Sequence, residues 1–216
     1  ANNRINDYLA ALGETLVSNC KADIALSNVC TLVSDKSDVS SVVLERYVST
    51  ESLLPDRGGR QQASSVPESG KVAFFRTGDV LVSNIRPYFK KIWRASFEGG
   101  CSTDVLVFRA KDASYSSCLY FSLRRIQFFD FVMKGAKGTK MPRGDKKQMM
   151  EYLVPSSVDS ETTKILDRVV AQMAGNALEA TRLVELRDVL LSKLMSGEID
   201  VSNVDLKQLN NHLCDY

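Results

Sequence analysis

The stretch DSETTKILDRVVAQMAGNALEATRLVELRDVLLSKLM, residues 159–195, has the longest helical pattern of this chain. It contains no proline, and its apolar residues recur at the a and d spacing of heptads, interrupted by Arg187. The heptad residues are Leu166, Val170, Met173, Ala177, Ala180, Val184, Leu191 and Leu194. A helix over this stretch is roughly 55 Å long at about 1.5 Å per residue, longer than a small domain is wide. We therefore expect it to project from the rest of the chain or to pair with another helix.

A second helix is predicted over Asn2–Ser18, where Ile5, Leu9, Leu12 and Leu16 form a narrow apolar seam. Two heptads alone do not hold a helix in water, so this seam favours pairing with the long helix and with a second subunit. For such a dimer the sequence assigns Leu166, Val170, Met173, Ala177, Val184, Leu191 and Leu194 to the interface. The alternative interpretation, a long helix folded back on its own domain, stays open.

The middle of the chain predicts strands and one packed helix. Short β-rich pieces separated by Ser, Asp, Gly and Pro fill residues 24–82, and residues 79–85 and 104–109 are the clearest strands. Residues 98–100 suit a turn between these two strands, and residues 116–134 have helical apolar spacing. We therefore expect an α+β fold, with a mixed α/β domain followed by a long α-helix that forms a coiled coil.

The charge of the chain is unevenly distributed. Residues 71–147 contain 16 of the 28 Lys and Arg residues but 6 of the 26 Asp and Glu residues, a net charge of +10. The rest of the chain has a net charge of −8, so the total of +2 hides a basic block. A polyanion is the natural partner of such a block.

Two segments of the basic block, residues 84–94 and 134–147, interleave cations with aromatic, Gly and Pro residues. Lys and Arg neutralise phosphates, Arg also pairs with guanine, and flexible glycines let backbone N–H groups approach a phosphate. The candidate DNA-contacting residues are Arg86, Tyr88, Lys90, Lys91, Lys137, Thr139, Lys140 and Arg143. The alternative for each segment is a solvated loop, with Tyr88, Phe89 and Trp93 as core anchors, but both segments together favour nucleic acid.

Catalytic, metal and cofactor chemistry find no support in the sequence. His212 is the single histidine and lies in a polar tail, and no P-loop, dinucleotide-binding or zinc-hydrolase motif occurs. We expect a non-catalytic chain without cofactor or metal. The five cysteines include no C-x-x-C pair, and no apolar run is long enough to span a membrane. We therefore expect a cytoplasmic protein with reduced thiols and no membrane association.

Six stretches give the chain a specific resemblance. They are NNRINDYLAAL (2–12), ERYVSTESLLPDRGGR (45–60), GDVLVSNIRPYFKKIW (78–93), GGCSTDVLVFR (99–109), GTKMPRGD (138–145) and LLSKLMSGEI (190–199). In order and spacing they resemble the DNA-specificity (S) subunit of type I restriction-modification enzymes. A full subunit of that family carries two target recognition domains, each reading one half of a bipartite site, separated by antiparallel spacer helices.

The resemblance implies a domain plan and a function. It assigns residues 1–20 to the end of a spacer, 21–156 to one target recognition domain, 157–198 to a spacer and dimerisation helix, and 199–216 to a tail. It implies double-stranded DNA as a partner, together with methyltransferase subunits and, through them, the restriction subunit. Because one unit is present, the chain is expected to be the C-terminal half of a subunit or a halved subunit, which in the second case forms a homodimer.

Two other classes of function remain open from the sequence. The first is a coiled-coil assembly protein whose basic block only keeps it soluble, and a salt titration of DNA binding separates this class from a DNA reader. The second is a stand-alone nuclease or methyltransferase, which predicts activity on DNA without partner subunits.

Overall fold

The computed structural model describes residues 2–199. Its helices are α1 (Asn2–Ser18), α2 (Leu26–Val29), α3 (Ser116–Arg124), α4 (Ile126–Lys134), α5 (Lys146–Met149) and α6 (Ser160–Met195). Its strands are β1 (Ala22–Ala25), β2 (Cys30–Leu32), β3 (Lys36–Asp38), β4 (Tyr47–Val48), β5 (Lys71–Phe75), β6 (Val80–Ser83), β7 (Ile92–Arg94), β8 (Gly99–Cys101), β9 (Val105–Ala110) and β10 (Leu153–Pro155). The predicted α+β class and the long C-terminal helix are confirmed, whereas coiled-coil formation stays a prediction.

The strands form three sheets. The central sheet has the order β2-β9-β6-β7 and is antiparallel throughout. The second sheet has the order β3-β5-β8-β4, in which only the β4–β8 pair is parallel. The antiparallel pair β1–β10 joins the two ends of the domain. The predicted tail lies, apart from Ile199, outside the described residues, and so do His212 and Cys214.

The central sheet is buried on both faces. Along β6, Val80 and Val82 pack into the larger hydrophobic core with α3, α4 and α6, whereas Leu81 packs into a second core against the other sheet. Strand β9 alternates in the same way, since Phe108 belongs to the larger core and Val107 to the second. Successive side chains of a strand point to opposite faces, so the domain consists of a helical layer and two sheets.

Two details differ from the sequence prediction. The glycines predicted to form a turn, Gly99 and Gly100, lie in β8 instead. A Cβ atom on Gly99 would lie 2.0 Å from the carbonyl oxygen of Arg46, so glycine is needed there for close backbone approach. The helix predicted over residues 116–134 is two helices, because Arg125 between them is extended, with φ −64° and ψ 145°.

Helix α1 packs against α3 and α6, and of the predicted seam Leu9 and Leu16 pack against the larger core. Its buried residues are Ala10, Gly13 and Val17, whereas Ile5 and Leu12 are 46% and 45% exposed. Small residues face the neighbouring helices because they let the helix axes come close together. The larger apolar residues Ile5 and Leu12 remain on the outer surface of α1.

Helix α6 divides into a packed part and a projecting part. Asp159 caps its start by accepting a hydrogen bond from the amide of Thr162 at 2.8 Å, and Gly197 follows its end with φ +75°. Buried side chains occur as far as Asn176, and beyond Ala180 almost every residue to Met195 is exposed. Within residues 2–199, no helix is long and apolar enough to cross a membrane.

Candidate nucleic-acid interface

The fold brings the two predicted basic segments together. The amide of Arg86 donates to the carbonyl oxygen of Pro142 at 2.8 Å, and the amide of Gly144 donates to the carbonyl oxygen of Asn84 at 3.3 Å. Ile85 and Arg143 form an antiparallel bridge between these two bonds. Backbone pairing of this kind fixes the relative position of the segments, so their side chains belong to one surface.

The second basic segment is folded into a hairpin over residues 137–143. Lys137 and Arg143 each donate an amide hydrogen bond to the other's carbonyl oxygen, both at 2.9 Å. Gly138 has φ +98°, a conformation that glycine adopts without strain. Thr139, Lys140 and Met141 at the tip are exposed, with Met141 47% exposed. The hairpin therefore presents three consecutive side chains to solvent.

The first basic segment contributes a tight turn over residues 86–90. Pro87–Phe89 form a 3₁₀ turn, flanked by Arg86 with φ +50° and Lys90 with φ +52°. Tyr88 is 45% exposed and its ring centroid lies 4.7 Å from that of Phe89, which is also exposed. The alternative of a core anchor is thus wrong for Tyr88 and Phe89, whereas Trp93 packs against the second core.

A third loop, which sequence reasoning missed, supports the turn. The amide of Asp56 donates to the carbonyl oxygen of Phe89 at 2.8 Å, and the amide of Arg57 donates to that of Lys90 at 2.9 Å. Asp56 and Arg57 have φ +50° and +64°, so with Arg86 and Lys90 they are the four non-glycine residues of positive φ within residues 2–199. Each such residue costs on the order of 1–3 kcal/mol, and such strain concentrates at functional sites.

We define the two-loop surface as residues 86–90 and 137–143. Three of its cations have carboxylate partners, namely Lys90 with Asp56 at 4.0 Å, Lys137 with Asp145 at 3.4 Å and Arg143 with Asp104 at 3.1 Å. These pairs are exposed, so solvent screens them and each gives way readily to a phosphate. In the described part of the chain, neither Arg86 nor Lys140 has an acidic group within 4.0 Å.

Lys91 differs from the other predicted cations. Its Nζ atom donates to the carbonyl oxygen of Thr50 at 2.6 Å. Burial lowers the pKa of its ammonium group, and the nearby charge of Glu51 acts in the opposite direction. The ammonium group of Lys91 therefore has a structural role between two loops, and we leave Lys91 out of the proposed phosphate contacts.

Asp145 anchors the hairpin at its C-terminal side. Its carboxylate accepts hydrogen bonds from the amides of Lys147 at 2.9 Å and Gln148 at 3.3 Å, which caps α5. These backbone donors, the Gln148 amide first, lower the pKa of Asp145, and the bond from Lys137 lowers it further. A charged Asp145 thus ties the hairpin to the helix that follows it.

The predicted dimerisation residues fall into two groups. Leu166 and Val170 are buried in the chain's own core, and Met173 packs against that core, so these three are not available to a second copy. Ala177, Val184, Leu191 and Leu194 lie on the exposed surface of α6. The set predicted for a second subunit is therefore narrowed to the projecting part of the helix, where it stays a prediction.

Within residues 2–199, no three His, Cys, Asp or Glu side chains cluster closely enough to hold a metal ion. The cysteines Cys30, Cys101 and Cys118 are buried, and burial raises the pKa of the Cys30 thiol to about 12. A neutral, buried thiol is a poor nucleophile. These residues serve the core and offer no reactive group.

Comparison with known proteins reveals relatives in sequence and in fold. The chain is 28% identical over 134 residues to the type I restriction enzyme EcoDI specificity subunit of Escherichia coli, a match that covers 58% of this chain and 29% of that subunit. No model of a protein family matches the sequence.

Two solved structures share the fold. The S subunit of a type I restriction-modification system from M. genitalium superposes with a TM-score of 0.55 and 16% identity, covering 89% of this chain and 55% of that one. A chain from a structure of the type I R-M system superposes with a TM-score of 0.51 and 21% identity, covering 85% of this chain and 50% of that one. The chain therefore spans about half the length of these solved chains, and the resemblance to type I specificity subunits is confirmed.

Proposed function

We propose that this chain reads one half of a bipartite double-stranded DNA sequence as a type I specificity subunit. It directs adenine methylation and restriction by partner subunits and carries no catalytic group of its own. The observation that carries the proposal is the hydrogen bond from Arg86 to Pro142, which joins both basic segments into the two-loop surface. A surface with fixed geometry is required for sequence reading, because base contacts depend on register.

The shape of the two-loop surface supports contact with a DNA groove. A major groove is about 12 Å wide, and the exposed tip of the hairpin over residues 137–143, which the Lys137–Arg143 bridge closes, offers its side chains to such a groove. Lys140 and Arg143 suit phosphates or guanine, Thr139 suits a base edge, and Met141 suits the methyl group of thymine. Arg86 and Lys90 lie at the adjacent turn and suit the phosphate backbone.

The projecting part of α6 supports the proposal of protein partners. Exposed Leu183, Leu186 and Leu190 lie on one side of the helix, and exposed Val184 and Leu191 lie on another. An apolar surface this wide is typical of a helix covered on more than one side. We propose that the modification subunit covers one side and, where the native subunit is a half, a second copy of the chain covers another.

A two-fold dimer of this kind reads a palindromic pair of half-sites. Antiparallel pairing of the α6 helices, each roughly 54 Å long at about 1.5 Å per residue, separates the two-loop surfaces. The half-sites then lie one to two DNA turns apart, at about 34 Å per turn. The proposed site of action is the cytoplasm, where these partners meet the DNA.

Selection of DNA from a random duplex library by the purified chain tests the proposal. We expect enrichment of one short motif by the wild-type chain, and loss of that motif with the double variant Lys140→Ala, Arg143→Ala. Retention of duplexes without an enriched motif would assign the basic surface to non-specific binding. No retention at low salt would favour a coiled-coil assembly protein instead.

A further inference from the structure

We infer that Glu14 of α1 is a positioning residue that holds the DNA-facing turn over residues 86–90 in register with the helical arm formed by α1 and α6. The inference rests on the proposed function for its consequence on DNA. Its physical basis is a continuous series of contacts from α1 to the turn.

The first contact is between Glu14 and two arginines. Nη1 of Arg57 donates to both carboxylate oxygens of Glu14, each at 3.2 Å, and Nη1 of Arg124 donates to Oε1 of Glu14. The side chain of Arg124 is 9% exposed, and those of Arg57 and Glu14 are 22% exposed. Within residues 2–199, Glu14 is the one carboxylate within 4.0 Å of either guanidinium group. Without its charge, two cations would face each other in a half-buried site.

The two arginines also bind each other's backbone. Nη1 of Arg57 donates to the carbonyl oxygen of Arg124 at 3.4 Å, and Nη2 of Arg124 donates to that of Arg57 at 3.3 Å. Arg124 is the last residue of α3, and Arg57 lies in the loop that supports the turn. Glu14 therefore offsets one of the two positive charges at the junction between α1, the end of α3 and this loop.

The next contact runs from Arg57 to the turn. The amides of Asp56 and Arg57 donate to the carbonyl oxygens of Phe89 and Lys90, and both donors have positive φ. A non-glycine residue keeps this conformation only where its surroundings hold it. The ion pair with Glu14 helps to stabilise the positive-φ conformation of Arg57, because it fixes the side chain of Arg57 against a residue outside the loop.

The last contact connects α1 with α6. Nδ2 of Asn6 donates to the carbonyl oxygen of Met173 at 3.2 Å, and Nδ2 of Asn176 donates to Oδ1 of Asn6 at 2.8 Å. The turn is thus joined through Arg57, Glu14 and α1 to the helix that carries the proposed partner surface. Neutralising Glu14 should release the turn without removing any cation from the two-loop surface.

Hydrogen exchange of the full chain without DNA tests this inference. We expect the amides of Asp56 and Arg57 to exchange at least tenfold faster in Glu14→Gln than in the wild-type chain. Asp7→Asn, which removes one negative charge from the exposed face of the same helix, should leave both rates unchanged. Amides of the central strand β6 report on the overall fold and should stay protected.

The emission of Trp93 gives a second readout, because Arg60 of the same loop lies 5.6 Å from its ring centroid.

If Glu14→Gln unfolds, so that amides throughout the chain lose protection from exchange, a second variant provides the test. Arg57→Met removes the pair from the loop side and leaves Glu14 with Arg124, so it should accelerate the same two amides alone. The inference would be overturned if the amides of residues 56 and 57 exchanged at wild-type rates in whichever of the two variants is folded.

DNA binding separates this inference from the proposed function. Binding to a random-sequence duplex should weaken in Glu14→Gln, with an unchanged slope of log affinity against log salt, because no phosphate contact is lost. A reduced slope would mean that Glu14 acts through the phosphate contacts and would overturn the positioning role. If the wild-type chain binds no DNA, the proposed function fails, and the exchange rates still decide whether Glu14 holds the turn.

Discussion

Gly13 of α1 lies so close to Phe121 of α3 that a Cβ atom on Gly13 would be 2.3 Å from the ring. Phe121 is fully buried in the larger core, so its ring can move aside only by disturbing the packing of that core. The absence of a side chain at Gly13 thus sets the distance between α1 and the domain. This distance also places the neighbouring Glu14 against the two arginines.

Replacement of Gly13 by Ala should destabilise the chain. Overpacking against Phe121 costs about 1–3 kcal/mol, which exceeds the gain of about 1 kcal/mol in helix propensity. Urea unfolding measures the difference. Gly175→Ala is the matched control, since nothing lies within 4 Å of its Cβ position, and it should gain up to about 1 kcal/mol. A Gly13→Ala variant as stable as the control would contradict the close packing of α1.

Substitution of Lys140 should change the salt dependence of DNA binding. Lys140 is exposed and has no acidic group within 4.0 Å among the described residues, so Lys140→Ala should reduce the slope of log affinity against log salt by about 1. Lys91→Ala is the control from the other basic segment, because the ammonium group of Lys91 is bound to Thr50. Equal changes of slope in both variants would argue against the distinction between the two lysines.

Charges on the projecting part of α6 should abolish self-association. Val184→Lys together with Leu191→Lys places two cations on its exposed apolar surface, and sedimentation should then detect only the monomer. Ser192→Lys adds a cation on the polar side of the same helix and should leave the dimer intact. A wild-type chain that sediments as a monomer at high micromolar concentration would end the homodimer proposal, though not the proposal of a DNA reader.

The contribution of Asp145 should depend on pH. Its folded-state pKa lies below the ordinary value of 3.8, so the unfolded chain binds the proton more readily than the folded chain does. The stabilisation is therefore complete above pH 3.8 and is lost as the pH falls through the lowered value. Asp145→Ala should unfold at lower urea concentration than the wild-type chain at neutral pH. We expect the gap in unfolding free energy to shrink on acidification, and a gap that stays constant would contradict the cap.

Local patterns predicted most of the elements but not the contacts among them. Helix α6 and strands β6 and β9 follow from the spacing of their apolar residues. The break at Arg125 carries no Pro or Gly signal in the sequence, and the preceding Arg124 is held by Glu14 and Arg57, which are distant in sequence. The seam on α1 was predicted in part, since Leu9 and Leu16 pack against the core, whereas Ile5 and Leu12 are exposed and the close contact is made at Gly13.

The sequence predicted which segments form the candidate interface, but not the contacts that bring them together. Charge clustering identified both basic segments, since neighbouring cations are visible in the sequence. The pairing of Arg86 with Pro142 and the support from Asp56 and Arg57 are backbone contacts between distant segments. Side-chain patterns do not encode such contacts, so the supporting loop, although it lies in one of the six stretches that carry the resemblance, was not predicted to lie at the interface.

Mapping of methylated adenines in cells that carry the chain with its modification subunit tests most directly whether the two-loop surface reads DNA. The wild-type chain should produce methylation at one defined motif, and replacement of Thr139, Lys140 and Met141 by Ala should alter or abolish that motif while α6 still binds its partner. Methylation of the same motif at the same level by the variant, or methylation that does not depend on the chain, would contradict the proposal.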